Sequence, residues 1–124
     1  MAHWLLKTEP TEYSWERLER DGKATWDGVA NPVAVKNLKA ARTGDDVVVY
    51  HTGDVKAAVG VAQVTREDPA GGLIEIAPKH KLSAPVTLAA LKADKLFADS
   101  PLVRQGRLSV VPLTDAQYRR ILGG

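Results

Sequence analysis

The sequence predicts an α+β domain built around a curved or barrel-like antiparallel sheet. Five apolar segments have the alternation or the β-branched content of strands, and short helix patterns lie between them. Most of these segments are joined by tight turns rich in glycine and aspartate. Strands and short helices interleaved in this way indicate one mixed domain rather than a helix bundle or a parallel sheet.

The bulk properties agree with a single globular domain spanning residues 1–124. Of the 124 residues, 44% are hydrophobic and 26% are charged. No apolar run approaches the roughly 18–20 residues of a membrane span, and the N-terminus lacks a secretion-signal pattern. We therefore expect a soluble, cytoplasmic protein with no membrane partner, and a monomer rather than an oligomer. The formal charge of +2 and the pI of about 9.0 are compatible with an anionic partner.

The first strand and the first helix are predicted near the N-terminus. His3–Lys7 forms an apolar strand segment, and Ser14 caps a short helix that ends at Gly22. Trp15 and Leu18 lie three residues apart on one helix face, which predicts that both pack in the core.

The loop Trp26-Asp27-Gly28-Val29-Ala30-Asn31-Pro32 precedes the second helix. Asn31 is a good N-cap, and Pro32 is suited to the first helical position. The helix is expected to run to about Ala41, with Ala34 and Leu38 also facing inward. The pattern leaves two roles open for Trp26, since it could fill the core or line a pocket.

The same helix carries basic residues away from its apolar side. Lys36, Lys39 and Arg42 fall within about 120° of one another around the helix axis. This face could follow a phosphate backbone, or it could be an ordinary solvated surface.

The middle of the chain predicts three strands. Val47–His51 and Ala57–Thr65 are separated by a turn and are expected to form a hairpin. Leu73–Ala77 is a third strand that continues toward Leu82, after a loop at residues 68–72.

The C-terminal part predicts two helices around one further strand. Thr87 caps a helix at Leu88–Ala93, and residues 99–106 are expected to be irregular. Leu108–Val111 forms the last strand, which is expected to end at Pro112. Residues 114–117 have the T-x-x-Q form of a capping box, and in the helix that follows Tyr118 and Leu122 share a face.

Catalytic and metal chemistry have little support. The chain has no cysteine, its three histidines lack metal-ligand spacing, and no glycine-rich phosphate loop is present. We therefore expect no metal and no cofactor. His51 beside Thr52 could act as a base with Asp27 or Glu9 orienting it, which leaves a small hydrolase as a minor hypothesis.

The remaining polar and aromatic residues suit a pocket for a flat polar ring. Trp26 and Tyr50 offer stacking faces, and hydrogen-bonding groups come from Thr8, Asn31, His51 and Ser109. Stacking of a base on an aromatic side chain contributes about 1–3 kcal/mol, and hydrogen bonds to base edges add discrimination.

Four separated segments resemble signatures of the EVE domain family, in the same order. They are H-W-L-L-K-T-E-P from His3, W-D-G-V-A-N from Trp26, Y-H-T from Tyr50 and R-L-S-V-V-P-L-T from Arg107. The family forms are W-L-x-K-[ST]-E-P, W-D-G-V-x-N, Y-H-[ST] and R-L-S-V-x-P-[LV]-[ST]. The resemblance runs through nearly the whole chain.

The resemblance implies a PUA-like pseudo-barrel of about five to six mostly antiparallel strands with short flanking helices. It also implies a non-catalytic module that holds a modified nucleobase, with modified cytosine in DNA ahead of modified RNA bases. The base-pocket residues it implies are Lys7, Thr8, Trp26, Asn31, Tyr50, His51, Thr52 and Ser109. Four basic residues are candidates for phosphate contacts, namely Lys36, Lys39, Arg104 and Arg107.

Overall fold

The computed structural model describes residues 2–27, 29 and 31–123, and it has an α+β architecture. The strands in this part of the chain are β1 (His3–Thr8), β2 (Ala24–Trp26), β3 (Asp46–His51), β4 (Ala57–Asp68), β5 (Leu73–Thr87) and β6 (Val110–Leu113). The α-helices are α1 (Trp15–Asp21), α2 (Pro32–Ala40), α3 (Leu88–Ala93), α4 (Pro101–Arg104) and α5 (Asp115–Ile121). None of the helices in these ranges is long and apolar enough to cross a membrane.

All six strands belong to one sheet in the order β2-β5-β4-β3-β1-β6. Every neighbouring pair is antiparallel except β1 and β3, which run parallel with Lys7 opposite Tyr50. The register shifts once between β3 and β4 and three times between β4 and β5. Such irregularities bend strands and increase their twist, which helps the sheet to curl into a half-barrel. The mostly antiparallel α+β prediction is confirmed.

The core lies inside this curl and is closed by the helices. Trp15 and Leu18 of α1 are fully buried there, as their spacing predicts. A Cβ atom at Gly60 of β4 would lie 2.6 Å from the ring of Trp15. The strand needs glycine at this position because the indole occupies the space that any side chain would take.

The predicted helix ends are confirmed where the sequence offers a capping residue. The side chains of Ser14, Asn31, Thr87 and Thr114 each accept a hydrogen bond from a backbone N–H in the first turn of the following helix. Gly22 ends α1 with φ of 79°, a left-handed conformation that glycine adopts without strain. These local signals are visible in sequence because each involves residues only two or three positions apart.

Two predictions in the C-terminal part are wrong in detail. Residues 99–106 are not wholly irregular, since Ser100 caps a single-turn helix with Pro101 at its first position. Pro112 does not end the last strand, which runs Val110–Leu113. Because β6 is an edge strand, proline can lie in it without removing a ladder hydrogen bond.

Two strand boundaries and the buried face of one helix differ from expectation. Trp26 ends the short strand β2 instead of lying in a loop, and β5 extends beyond Leu82 to Thr87. In α5 the residue that joins Tyr118 in the core is Ile121, while Leu122 is exposed. An α-helix places residues three or four apart on one face, and packing against the sheet selects the i, i+3 pair.

Candidate functional site

A cleft of about 520 Å³ opens where β1, β2 and the segment before β6 approach one another. Its lining residues come from six places in the chain, namely the end of β1, the turn after it, β2, the connection from β2 to α2, the start of α2 and the segment before β6. They are Lys7, Thr8, Glu9, Glu12, Tyr13, Ala24, Thr25, Trp26, Asp27, Val29, Asn31, Arg107 and Ser109.

The first cleft brings together five of the eight residues predicted to form a base pocket. These are Lys7, Thr8, Trp26, Asn31 and Ser109. Arg107, predicted as a phosphate contact, lies in the same lining. The motifs that begin at His3, Trp26 and Arg107 therefore meet in space, although about a hundred residues separate the first from the last.

Trp26 forms one aromatic wall of the cleft. It pairs with Ile74 across β2 and β5 and is partly buried against the core. The ring of Tyr13 meets the indole edge-on, with centroids 6.1 Å apart and planes at 82°. This T-shaped contact holds the indole in place while part of it stays exposed to the cleft.

Several lining residues were not predicted from the sequence. Tyr13, Glu12, Ala24, Thr25 and Val29 all line the cleft. The short run Ala24-Thr25-Trp26 after Gly22 could have indicated a strand, and that strand contains two of these residues, Ala24 and Thr25. Tyr13 carries no comparable signal because its contact with Trp26 depends on where α1 packs.

Hydrogen bonds fix the polar part of the cleft. The hydroxyl of Thr8 donates to the carbonyl of Tyr13 at 2.8 Å, and the Lys7 amide donates to the carbonyl of Ser109 at 2.9 Å. The side-chain oxygen of Asn31 accepts from the amides of Val33 and Ala34, which leaves the Asn31 amide group for other contacts. The Thr8 and Asn31 oxygens thus support the walls.

The charges of the cleft are mixed. Lys7 and Arg107 supply two cations, and Glu9, Glu12 and Asp27 supply carboxylates. The Glu9 carboxylate accepts from the Thr52 hydroxyl at 3.3 Å, so it is held at one end of the cleft. Burial lowers the pKa of Lys7, whose Nζ donates to the carbonyl of Gly106 at 3.0 Å.

Tyr50 and Thr52 line a second, smaller cavity of about 190 Å³. Its lining is Lys7, Tyr50, Thr52, Gly53, Lys56, Leu88, Lys92, Leu102, Val103 and Gly106. Tyr50 is only 3% exposed, so it forms part of the floor and offers no open stacking face. Lys7 is common to both cavities, and its Nζ lies 5.8 Å from the centroid of the Tyr50 ring.

His51 lies in neither cavity lining, so the structure does not bring it together with the other predicted pocket residues. It is 5% exposed, and its Nε2 accepts the backbone amide hydrogen of Trp15 at 3.0 Å. Burial lowers its pKa, although Glu16 and Glu9 act in the opposite direction. A general base needs a free lone pair, and this nitrogen already uses its own to anchor α1.

The other predicted phosphate contacts lie outside both linings. Lys36 and Lys39 are exposed on α2. Arg104 donates to the carbonyl of Ala98 and pairs with Asp99 at 3.1 Å, so its guanidinium is engaged locally.

Comparison with known proteins identifies the class of domain. The model of the EVE domain family matches residues 2–123, and the chain belongs to this family. The solved structure of Rpa0253 from Rhodopseudomonas palustris is 35% identical, with a TM-score of 0.91 over 99% of this chain and 92% of that chain.

Two further comparisons involve a human protein. The human THYN1 protein, solved in complex with 5-methylcytosine-containing DNA, is 21% identical with a TM-score of 0.89, covering 99% of this chain and 96% of that chain. Human thymocyte nuclear protein 1 is 31% identical over 78 residues, or 53% of this chain, and the match spans 35% of that protein's length. The shared architecture confirms the PUA-like fold that the motifs imply.

Proposed function

We propose that this protein is a non-catalytic nucleic-acid-binding module that holds one modified base in the first cleft. Modified cytosine in DNA, such as 5-methylcytosine or 5-hydroxymethylcytosine, is the base class we favour. The base enters the cleft flipped out of a duplex or already unpaired.

The observation that carries this proposal is the composition of the first cleft. It combines a partly exposed indole with polar groups and two cations in a space of about 520 Å³. Ligand pockets of about 300–1,000 Å³ commonly pair such an aromatic wall with a few fixed polar groups. A flat base can stack on Trp26 while its edge meets the hydroxyl of Ser109 and the amide of Asn31.

Family membership and a structural relative support the same proposal. The EVE family match covers nearly the whole chain, and the human THYN1 protein of the same fold was solved with 5-methylcytosine-containing DNA. The carboxylates in the lining add a chemical reason to favour cytosine, since Asp and Glu accept from its exocyclic amine. The engaged Nε2 of His51 argues against the hydrolase alternative.

Binding to matched oligonucleotides tests the proposal. Wild-type protein is titrated with strands carrying cytosine, 5-methylcytosine or 5-hydroxymethylcytosine at one stated salt concentration, and Trp26→Ala is compared with it. Loss of the stacking surface is expected to weaken binding of the preferred base by about 5- to 150-fold, as about 1–3 kcal/mol of stacking implies.

Controls separate a binding defect from a folding defect. Leu122→Ala changes an exposed apolar residue outside the cleft and should bind like wild type. Circular dichroism checks that Trp26→Ala is folded, and Trp26→Phe should restore part of the affinity. Equal binding of all three strands, unchanged by Trp26→Ala, would refute the proposal, and a preference for the matched RNA would instead assign the module to modified RNA.

A further inference from the structure

We propose that the second cavity binds a phosphodiester of the same strand, next to the nucleotide whose base occupies the first cleft. This inference rests on the proposed function and assigns a separate site to the backbone. Three lysine side chains lie around an apolar floor in this cavity, and this arrangement identifies the class of ligand.

The lining of the second cavity is cationic and has no carboxylate. Lys7, Lys56 and Lys92 lie around it, and the floor is formed by Tyr50, Leu88, Leu102 and Val103. Within residues 2–27, 29 and 31–123, none of the three lysines has a carboxylate oxygen within 4.0 Å. An apolar floor keeps water away from one side of the three lysines. Solvent therefore screens their positive potential less than it would on an open surface.

The carboxylate of Glu9 lies beside the loop at Thr52 and Gly53. A Cβ atom at Gly53 would lie 2.8 Å from both carboxylate oxygens of Glu9, and Glu9 also accepts from Thr52. Glu9 belongs to the lining of the first cleft and not of the second. The two neighbouring cavities therefore differ in charge, the first mixed and the second cationic.

The backbone at Lys56 adds an independent sign of function. Lys56 has φ of 48°, and no other non-glycine residue in the described part of the chain has a positive φ. The left-handed region is unfavourable for a residue with a Cβ, and such strain concentrates at ligand sites. The Lys56 carbonyl accepts the amide hydrogen of Leu88 at 2.8 Å, which holds the strained residue at the start of α3.

Lys7 connects the two sites. Its side chain contributes to both linings and is fixed by its bond to the carbonyl of Gly106. A strand that places one base in the first cleft passes Lys7 as it leaves. The next phosphate then meets Lys56 and Lys92, whose exposed side chains can close on it without moving the backbone.

The test removes the two exposed lysines and measures the salt dependence of binding. The variant Lys56→Gln/Lys92→Gln is compared with wild type on the preferred single strand across a range of salt concentrations. The slope of log K against log salt is expected to become shallower by about 0.7 for the lost phosphate contact. At low salt the Kd should rise about 5- to 30-fold, with the preference among cytosine bases unchanged.

A matched pair controls for the loss of two charges. Lys81→Gln/Lys95→Gln removes the same net charge from exposed positions that line neither cavity. If the Lys56/Lys92 variant matches this control in both affinity and slope, the phosphodiester site is refuted while the base-binding proposal stands.

A second measurement does not depend on base recognition. Inorganic phosphate is titrated into labelled protein while the amide resonances of Gly53 and Gly106, both in the second lining, are followed by NMR. Saturable shifts that disappear in the Lys56→Gln/Lys92→Gln variant would support the site even if no modified base is preferred. Shifts equal in variant and wild type would contradict it.

Discussion

Trp26 belongs to the core and to the cleft at once. One part of the indole packs against buried residues and against the edge of Tyr13, and the remainder lines the first cleft. The two roles that its sequence position left open are therefore combined. A side chain anchored in this way loses little freedom when a ligand stacks on it, which favours affinity.

His51 has a structural role that its position in the Y-H-T segment does not reveal. Its Nε2 accepts a hydrogen bond of 3.0 Å from the backbone N–H of Trp15, the first residue of α1. One side chain therefore joins β3 to the start of this helix. Because Nε2 is the acceptor, the proton of the neutral ring lies on Nδ1. Protonation of the ring would replace this attraction by two donors facing each other.

The lowered pKa of His51 predicts a pH-dependent stability. Since the folded-state pKa is below the ordinary value of 6.5, the unfolded chain binds the proton more readily. The contribution of His51 is then complete above about pH 6.5 and is lost as the pH falls through the folded-state pKa. Urea unfolding from pH 8 to pH 5 should show a smaller decline in the free energy of unfolding for His51→Gln than for wild type.

The exposed His80 supplies the control for this measurement. His80→Gln replaces a histidine on the surface of β5 and should follow the wild-type curve. A His51→Gln protein that declines as steeply as wild type would mean that other groups account for the acid sensitivity.

At the scale of elements, α2 and β2 frame the mouth of the first cleft. Trp26 ends β2, and Asn31 both lines the cleft and caps α2. The intervening Gly28 and Ala30 lie outside the described residues. The cap fixes where the helix begins, and the strand pairing with β5 fixes where the indole lies.

Replacing Asn31 is expected to weaken the helix start. Asn31→Ala removes the acceptor for the amides of Val33 and Ala34, and the free energy of unfolding should fall by about 1 kcal/mol. Asn31→Ser keeps a capping oxygen and should retain most of the stability. Urea denaturation of the three proteins measures the effect, and equal losses in both variants would show that the cap is not the source of the stability.

At the scale of the whole molecule, curling of the sheet creates the site. β2 lies at one end of the strand order and β6 at the other, with four strands between them. Trp26 on β2 and Ser109 just before β6 nevertheless line one cleft. Only a strongly curved sheet can bring its two ends to the same place, and the irregular pairing of β4 with β5 and the parallel β1–β3 pair belong to this arrangement.

The same topology predicts a monomer. The edge strand β2 has only three residues, and the other edge strand carries Pro112, so neither offers a long row of free hydrogen-bonding groups. In the described part of the chain the exposed large hydrophobic residues are Val33, Val55 and Leu122, which belong to three different segments. Light scattering coupled to gel filtration should give a mass near 13.4 kDa, and a mass near twice that value would overturn the prediction.

Features that depend on short-range chemistry were predictable. The capping residues Ser14, Asn31, Thr87 and Thr114 identified helix starts because a cap involves residues two or three positions apart. Features that depend on the sheet edge were not predictable. Pro112 indicates the end of a strand unless that strand is known to lie at the edge of the sheet. The short strand β2 was missed for the same reason, because its three residues gain strand structure only by pairing with β5.

The sequence by itself determined the α+β class, the main strands and helices, the family signatures and a set of residues suited to a base pocket. Only the tertiary structure decided which of these residues lie together in one cavity and which do not. It placed Trp26 and Ser109 in the first cleft, Tyr50 and Thr52 in the second, and His51 in the frame between β3 and α1. The physical reason is that hydrogen bonds within a few residues are encoded locally, whereas the curl of a six-stranded sheet depends on pairings between distant segments.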